Sequence, residues 1–189
     1  MSRFTAIYDA CVLYPAPLRD FLMHLALTDL FRAKWTDLIH DEWIRNVLKK
    51  RPDITAAQLA RTRELMDLHV RDCMVTGYEE LEAAIALPDE DDRHVVAAAI
   101  RSQCDVIVTF NLKDFPPEVI GQYGIEAQHP DEFIRQLFDL DETAVCAAAK
   151  NQRASLKRPP CEVDRFLEIL EHQGLLQTVC ELRKFRALL

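Results

Sequence analysis

Leu87-Pro-Asp-Glu-Asp-Asp-Arg-His-Val-Val-Ala-Ala-Ala-Ile100, followed after four intervening residues by Asp105-Val-Ile-Val-Thr-Phe-Asn-Leu-Lys-Asp-Phe115, reads as a helix, a buried strand and an acidic loop. Pro88 and Asp89 suit a helix start, and acids in a first turn meet the positive end of the helix dipole. Val95, Val96, Ala99 and Ile100 then give an apolar face that a sheet could cover. Four consecutive acids, Asp89 to Asp92, exceed what capping needs, and the strand that follows runs into a loop carrying Asn111 and Asp114. That surplus of negative charge asks for a cation.

In a parallel α/β sheet, ligands collect beyond the carboxyl ends of the strands. Phe4-Thr-Ala-Ile-Tyr-Asp9 supplies a second apolar run that stops at an acid, as Val106-Ile-Val-Thr109 stops before Asn111. A third acid, Glu42, lies in the helical pattern Thr36 to Lys50, flanked by Leu38 and Arg45. An ion pair with Arg45 is the simpler role for Glu42, and capping the simpler role for Asp9. Asp92 continues the row formed by Val95, Val96 and Ala99, so it is expected to point inward, while Asp89 caps the helix or faces water. His94, beside Arg93, reads as a surface residue.

On these residues the chain resembles the PIN-domain ribonucleases of the VapC type, the toxins of bacterial toxin-antitoxin pairs. Asp9, Glu42, the Asp89 to Ala99 block and Thr109-Phe-Asn-Leu-Lys-Asp-Phe115 carry the resemblance, over roughly the first two-thirds of the chain. It implies a three-layer α/β/α fold with a central parallel sheet over residues 1–139, and leaves 140–189 as an all-helical extension. It further implies Asp9, Glu42, Asp92 and Asp114 as catalytic metal ligands, with Asp89, Thr109 and Asn111 supporting them. Many relatives have Asp where this chain has Asn111, so the fourth carboxylate becomes Asp114. Oxygen donors alone favour Mg²⁺ or Mn²⁺ over zinc. The implied reaction is hydrolysis of RNA phosphodiesters, with a homodimer and an antitoxin protein as the implied partners.

Two other readings remain open. A non-catalytic PIN-like module would bind RNA or protein without cutting. An aspartyl phosphatase would use Asp9 as nucleophile, but it wants a second Asp where Cys11 stands.

Composition bounds these readings. The chain of 189 residues has 49% apolar and 29% charged residues, an ordinary globular balance with enough length to bury a core. Its net charge of -8 opposes a nucleic-acid partner taken alone. The charge is uneven, however: Arg45, Lys49, Lys50, Arg51, Arg61, Arg63 and Arg71 form a basic third, and Lys150, Arg153, Lys157 and Arg158 a second cluster. The six cysteines show no CxxC spacing, which suits free thiols in a reducing compartment. The first strand begins within a few residues of Met1 and no apolar run approaches the roughly 20 residues of a membrane span. A cytoplasmic protein without a membrane role is expected.

The periodicity also predicts helices over Ala16 to Leu30, Thr36 to Lys50 and Thr55 to Val70, a strand at Cys73 to Thr76, and a short helix from Glu79 to Ala86. A last strand is expected near Ile125 to Gln128. Beyond it lie three helical patterns, Asp141 to Leu156, Cys161 to Gln173 and Leu175 to Leu188, divided by Pro159-Pro160 and Gly174. Their apolar rows suit packing within their own domain or a groove for a partner segment.

Overall fold

A computed structural model describes residues 4–157 and 159–189; Met1 to Arg3, and Arg158 of the second basic cluster, lie outside the described residues. The chain runs β1 (Thr5–Tyr8), α1 (Ala10–Leu13), α2 (Ala16–Ala26), β2 (Arg32–Lys34), α3 (Asp37–Lys50), α4 (Ala56–His69) and α5 (Glu79–Glu82). It continues with α6 (Arg93–Arg101), β3 (Val106–Val108), α7 (Pro117–Ile120), β4 (Glu126–Gln128), α8 (Pro130–Ser155), α9 (Val163–Glu171) and α10 (Leu176–Lys184). Contacts group residues 4–14 with 31–129 as one unit, and 15–30 with 130–189 as a second.

The first unit is built on a four-stranded parallel sheet in the order β2-β1-β3-β4. β1 is buried along its whole length and β3 likewise, which is why both read as unbroken apolar runs rather than alternating ones. α6 packs on β1 and β3. Its Val95-Val-Ala-Ala-Ala99 run is buried throughout, the alanines letting the helix lie close to the sheet. The chain leaves β1 in one direction across the sheet and β3 in the other. The crevice between their carboxyl ends is therefore the switch point at which such sheets bind ligands.

α3 starts where Thr36 accepts a hydrogen bond from the Ile39 amide, and α4 where Thr55 and Gln58 form a reciprocal capping box. Trp35, fully buried, stacks on Tyr8 and donates to Asp67 at 2.8 Å. β2 answers to no predicted strand, and the strand expected at Cys73 to Thr76 is a single parallel bridge between Trp35 and Met74. The short helix expected to reach Ala86 stops at Glu82.

In the second unit α2 ends at Ala26, earlier than Leu30. α8 is one element interrupted at Asp141, whose backbone is non-helical (φ -161°, ψ 94°) and whose carboxylate re-caps the chain by accepting from the Ala144 amide at 2.9 Å. The sequence expects the junction at 139/140; packing groups residues 130–139 with α2 and the later helices, and the helical run breaks at Asp141. α9 and α10 bury Phe166, Leu167 and Leu170, and Thr178, Val179 and Leu182. These residues pack inside the unit, while Leu176 of the same row stays exposed. All six cysteines are free thiols. Among the described residues no helix is long and apolar enough to cross a membrane.

Candidate metal-binding active site

β1 delivers Asp9 to the switch point. The residue is 4% exposed, and its amide donates to the Val108 carbonyl at 3.1 Å, which ties the end of β1 to the end of β3. Asp9 precedes α1, yet its side chain makes no capping bond. Instead Asp9 Oδ2 accepts from the Thr109 hydroxyl at 2.6 Å and from the Cys11 thiol at 3.0 Å. Thr109 is fully buried at the first position past β3. Capping, the simpler role for Asp9, is thus not the one it performs.

The acidic block begins with a 3-10 turn, Glu90–Asp92, and not with the α-helix expected there. Asp89 caps that turn, its carboxylate accepting from the Asp91 amide at 3.0 Å. Asp92 is half-buried, as its place in the apolar row implies. Its carboxyl is pushed up to about 7 by burial first, then by the charges of Asp9, Asp89 and Asp114, with His94 acting in the opposite sense. Three acids from separate stretches of the chain therefore act on one carboxyl group. Asp114 arrives on the 3-10 turn Leu112–Asp114, and Asn111, exposed, joins through its amide, which donates to the Thr109 hydroxyl oxygen at 3.0 Å.

His94 is buried, only 2% exposed, and not the surface residue expected. Its Nε2 lies 3.1 Å from Glu42 Oε1, off the line of a hydrogen bond. The neighbour of Glu42 is thus His94 and not Arg45, the simpler partner that the sequence offered. Sequence reasoning missed two residues here, His94 and Cys11. The first is masked by its charged neighbour Arg93. The second stands two positions past a strand-ending acid, the one signal that pointed to it.

The donors fit a hard divalent cation. They are oxygen donors crowded until one carboxyl resists ionisation, with a thiol that burial keeps protonated. Among the described residues no three His, Cys, Asp or Glu side chains already stand close enough to one point to ligate an ion. Carboxylates without a counter-charge repel each other, and the field they share at Asp92 is the measure of that repulsion.

Residues 5–113, more than half the chain, match the family model described as PIN domain, and the chain belongs to the PIN-domain family. Residues 130–184 match the model described as VapC50 C-terminal domain, which begins where the second packing unit resumes. A curated relative from Mycobacterium tuberculosis, named "Putative ribonuclease VapC50", is 40% identical over 97 residues, covering 51% of this chain and 57% of the relative. The chain thus spans somewhat over half the length of the curated relative it matches. No solved structure matches the chain.

Proposed function

We propose that this chain is a divalent-metal-dependent ribonuclease that hydrolyses RNA phosphodiesters, with Mg²⁺ or Mn²⁺ held by Asp9, Glu42, Asp92 and Asp114. The observation that carries it is the crowding of Asp9, Asp89 and Asp114 around Asp92 at the switch point of the sheet. A bound cation supplies a water acidified toward neutrality and charge stabilisation for the displaced oxygen at phosphorus. Asp9, fixed on one oxygen by Thr109, and Asp92, at the head of α6, come from rigid elements and can hold their positions through the reaction. Asp89 and Asn111 shape the two loops that flank them. Glu42, beside His94, would complete the ligand set from α3.

Two features support RNA as substrate: the relative's printed name, and the exposed amino and guanidinium groups of Arg45 and Lys49 on α3. Arg51, Arg61 and Arg63 of the same basic third are instead paired with Asp53, Glu64, and Asp37 and Asp41. The usable positive charge is therefore narrower than the sequence suggests. We assign the chain, as a homodimer in the cytoplasm, to the toxin side of a toxin-antitoxin pair. The match of residues 130–184 to the VapC50 C-terminal model supports that assignment.

The test is cleavage of single-stranded RNA by wild type, Asp9→Asn and Asp92→Asn, with and without EDTA. Both variants and the chelated wild type should lose at least about a hundredfold in rate, since the variants remove ligand charge and EDTA removes the cation itself. Undiminished cutting by either variant refutes the proposal. Expression of the wild type alone should arrest bacterial growth, and expression of Asp92→Asn should not.

A further inference from the structure

We propose that Cys11 is a positioning residue for Asp9: its thiol and the Thr109 hydroxyl together occupy Oδ2, which leaves Oδ1 as the oxygen that meets the cation. This rests on the metal-dependent reading above and assigns a role to a side chain which that reading does not use.

The Phe110 amide donates to Cys11 Sγ at 3.3 Å, so the sulfur's acceptor side is taken, and its proton is directed to Asp9 Oδ2 at 3.0 Å. The Asn111 amide likewise donates to Thr109 Oγ1 at 3.0 Å, and the Thr109 proton goes to the same Oδ2 at 2.6 Å. Two consecutive amides of the loop after β3 thus run through two side-chain donors to one oxygen. The donors touch each other, with Sγ 3.4 Å from Oγ1, so neither can swing away without disturbing the other. A carboxylate locked on one oxygen presents the other at a fixed angle, and outer partners of this kind commonly change metal affinity on removal. A cysteine that merely filled space would not need its proton aimed.

The experiment is isothermal titration of the full-length protein with Mn²⁺, for wild type, Cys11→Ala, Cys11→Val and Cys11→Ser, beside thermal melts and RNA cleavage. Valine fills the thiol's volume but cannot donate; serine donates. The proposal expects Cys11→Ala and Cys11→Val to bind Mn²⁺ about tenfold more weakly. It also expects kcat to fall while KM for RNA stays within twofold, and Cys11→Ser to recover most of both. If Cys11→Ala fails to fold, Cys11→Val decides alone, because it preserves packing. Wild-type affinity in folded Cys11→Val overturns the proposal and leaves the metal reading standing. Absence of Mn²⁺ binding by wild type overturns both. Equal loss in Cys11→Ser and Cys11→Val reduces Cys11 to packing and overturns the positioning role.

Discussion

Neutralising Asp92 should make the protein more stable even as it abolishes activity. The folded-state carboxyl lies at about 7 and the ordinary value is 3.8. The native chain therefore holds this proton over a range in which the unfolded chain has released it. The sign follows: the ionised form is the one the fold disfavours, so stability is intact below pH 3.8, declines as pH rises between 3.8 and about 7, and stays low above. At 1.36 kcal/mol per pH unit the full interval corresponds to about 4 kcal/mol. The side chain is only half withdrawn from water, and screening reduces the expected penalty to about 2 kcal/mol. Asp92→Asn keeps the shape and removes the charge, so at pH 8 in EDTA it should gain about 2 kcal/mol, or about 4–8 °C in Tm for a chain of this size. At pH 3.5 the gain should vanish. Urea melts of both proteins across pH 3.5 to 8.5 measure the difference directly; titrating groups remote from Asp92 cancel in it, and the coupled Asp9, Asp89 and Asp114 are part of the effect. Adding Mn²⁺ at pH 8 should reverse the order, because only the wild type then gains binding energy in the native state. Equal stability of the two proteins at pH 8, or a gain of the same size at both pH extremes, refutes the crowding argument.

Two further predictions concern other parts of the chain. Asp131 is 4% exposed and accepts from the Gln177 and Thr178 amides at 2.8 Å each, capping α10 in place of Leu175, which has no side-chain acceptor. Asp131→Ala should cost about 2 kcal/mol, seen as a Tm lower by about 4–8 °C, and should leave Mn²⁺ affinity at the first unit unchanged. Lys49→Glu with Lys50→Glu should slow cleavage at low RNA concentration and flatten its salt dependence without altering Mn²⁺ affinity, since charge steering is a screened, long-range effect. A salt slope equal to wild type would place the RNA path elsewhere.

The parts of the fold that the sequence announces are those with an intrinsic signal. β1 and β3 are apolar on both faces because the parallel sheet buries both. α3 and α4 carry their caps, Thr36 and the Thr55–Gln58 pair, within their own segments. β2 has no such signal. Arg32-Ala-Lys34 is three residues long and its outer residues are charged, as suits an edge strand that must not pair further, so its strand character comes from lying beside β1. Cys73 to Thr76, apolar as it is, closes only the bridge between Met74 and Trp35, just past the end of β2. Asp141 ends a helical run as the pattern suggests, but the caps of α10 come from Asp131, more than forty residues earlier, and no local rule reveals them.

The site divides along the same line, and the division says what its chemistry depends on. Asp9, Thr109 and Asp92 stand at element ends, so their candidacy is written in where apolar runs stop. Cys11 and His94 acquire their roles only through contacts that the fold creates, Cys11 with Thr109 and His94 with Glu42. Those contacts belong to side chains that fix an acid rather than to the acids themselves. A substitution at either position would look harmless in the sequence, one being a small thiol and the other an apparent surface imidazole. Asp9 and Asp92 are oppositely placed in energy as well. Asp9 is held by two donors on one oxygen, whereas Asp92 is held against the charges of its neighbours. A cation relieves the second condition and makes use of the first. The residue whose removal most stabilises the fold is thus expected to be among those whose removal most damages catalysis.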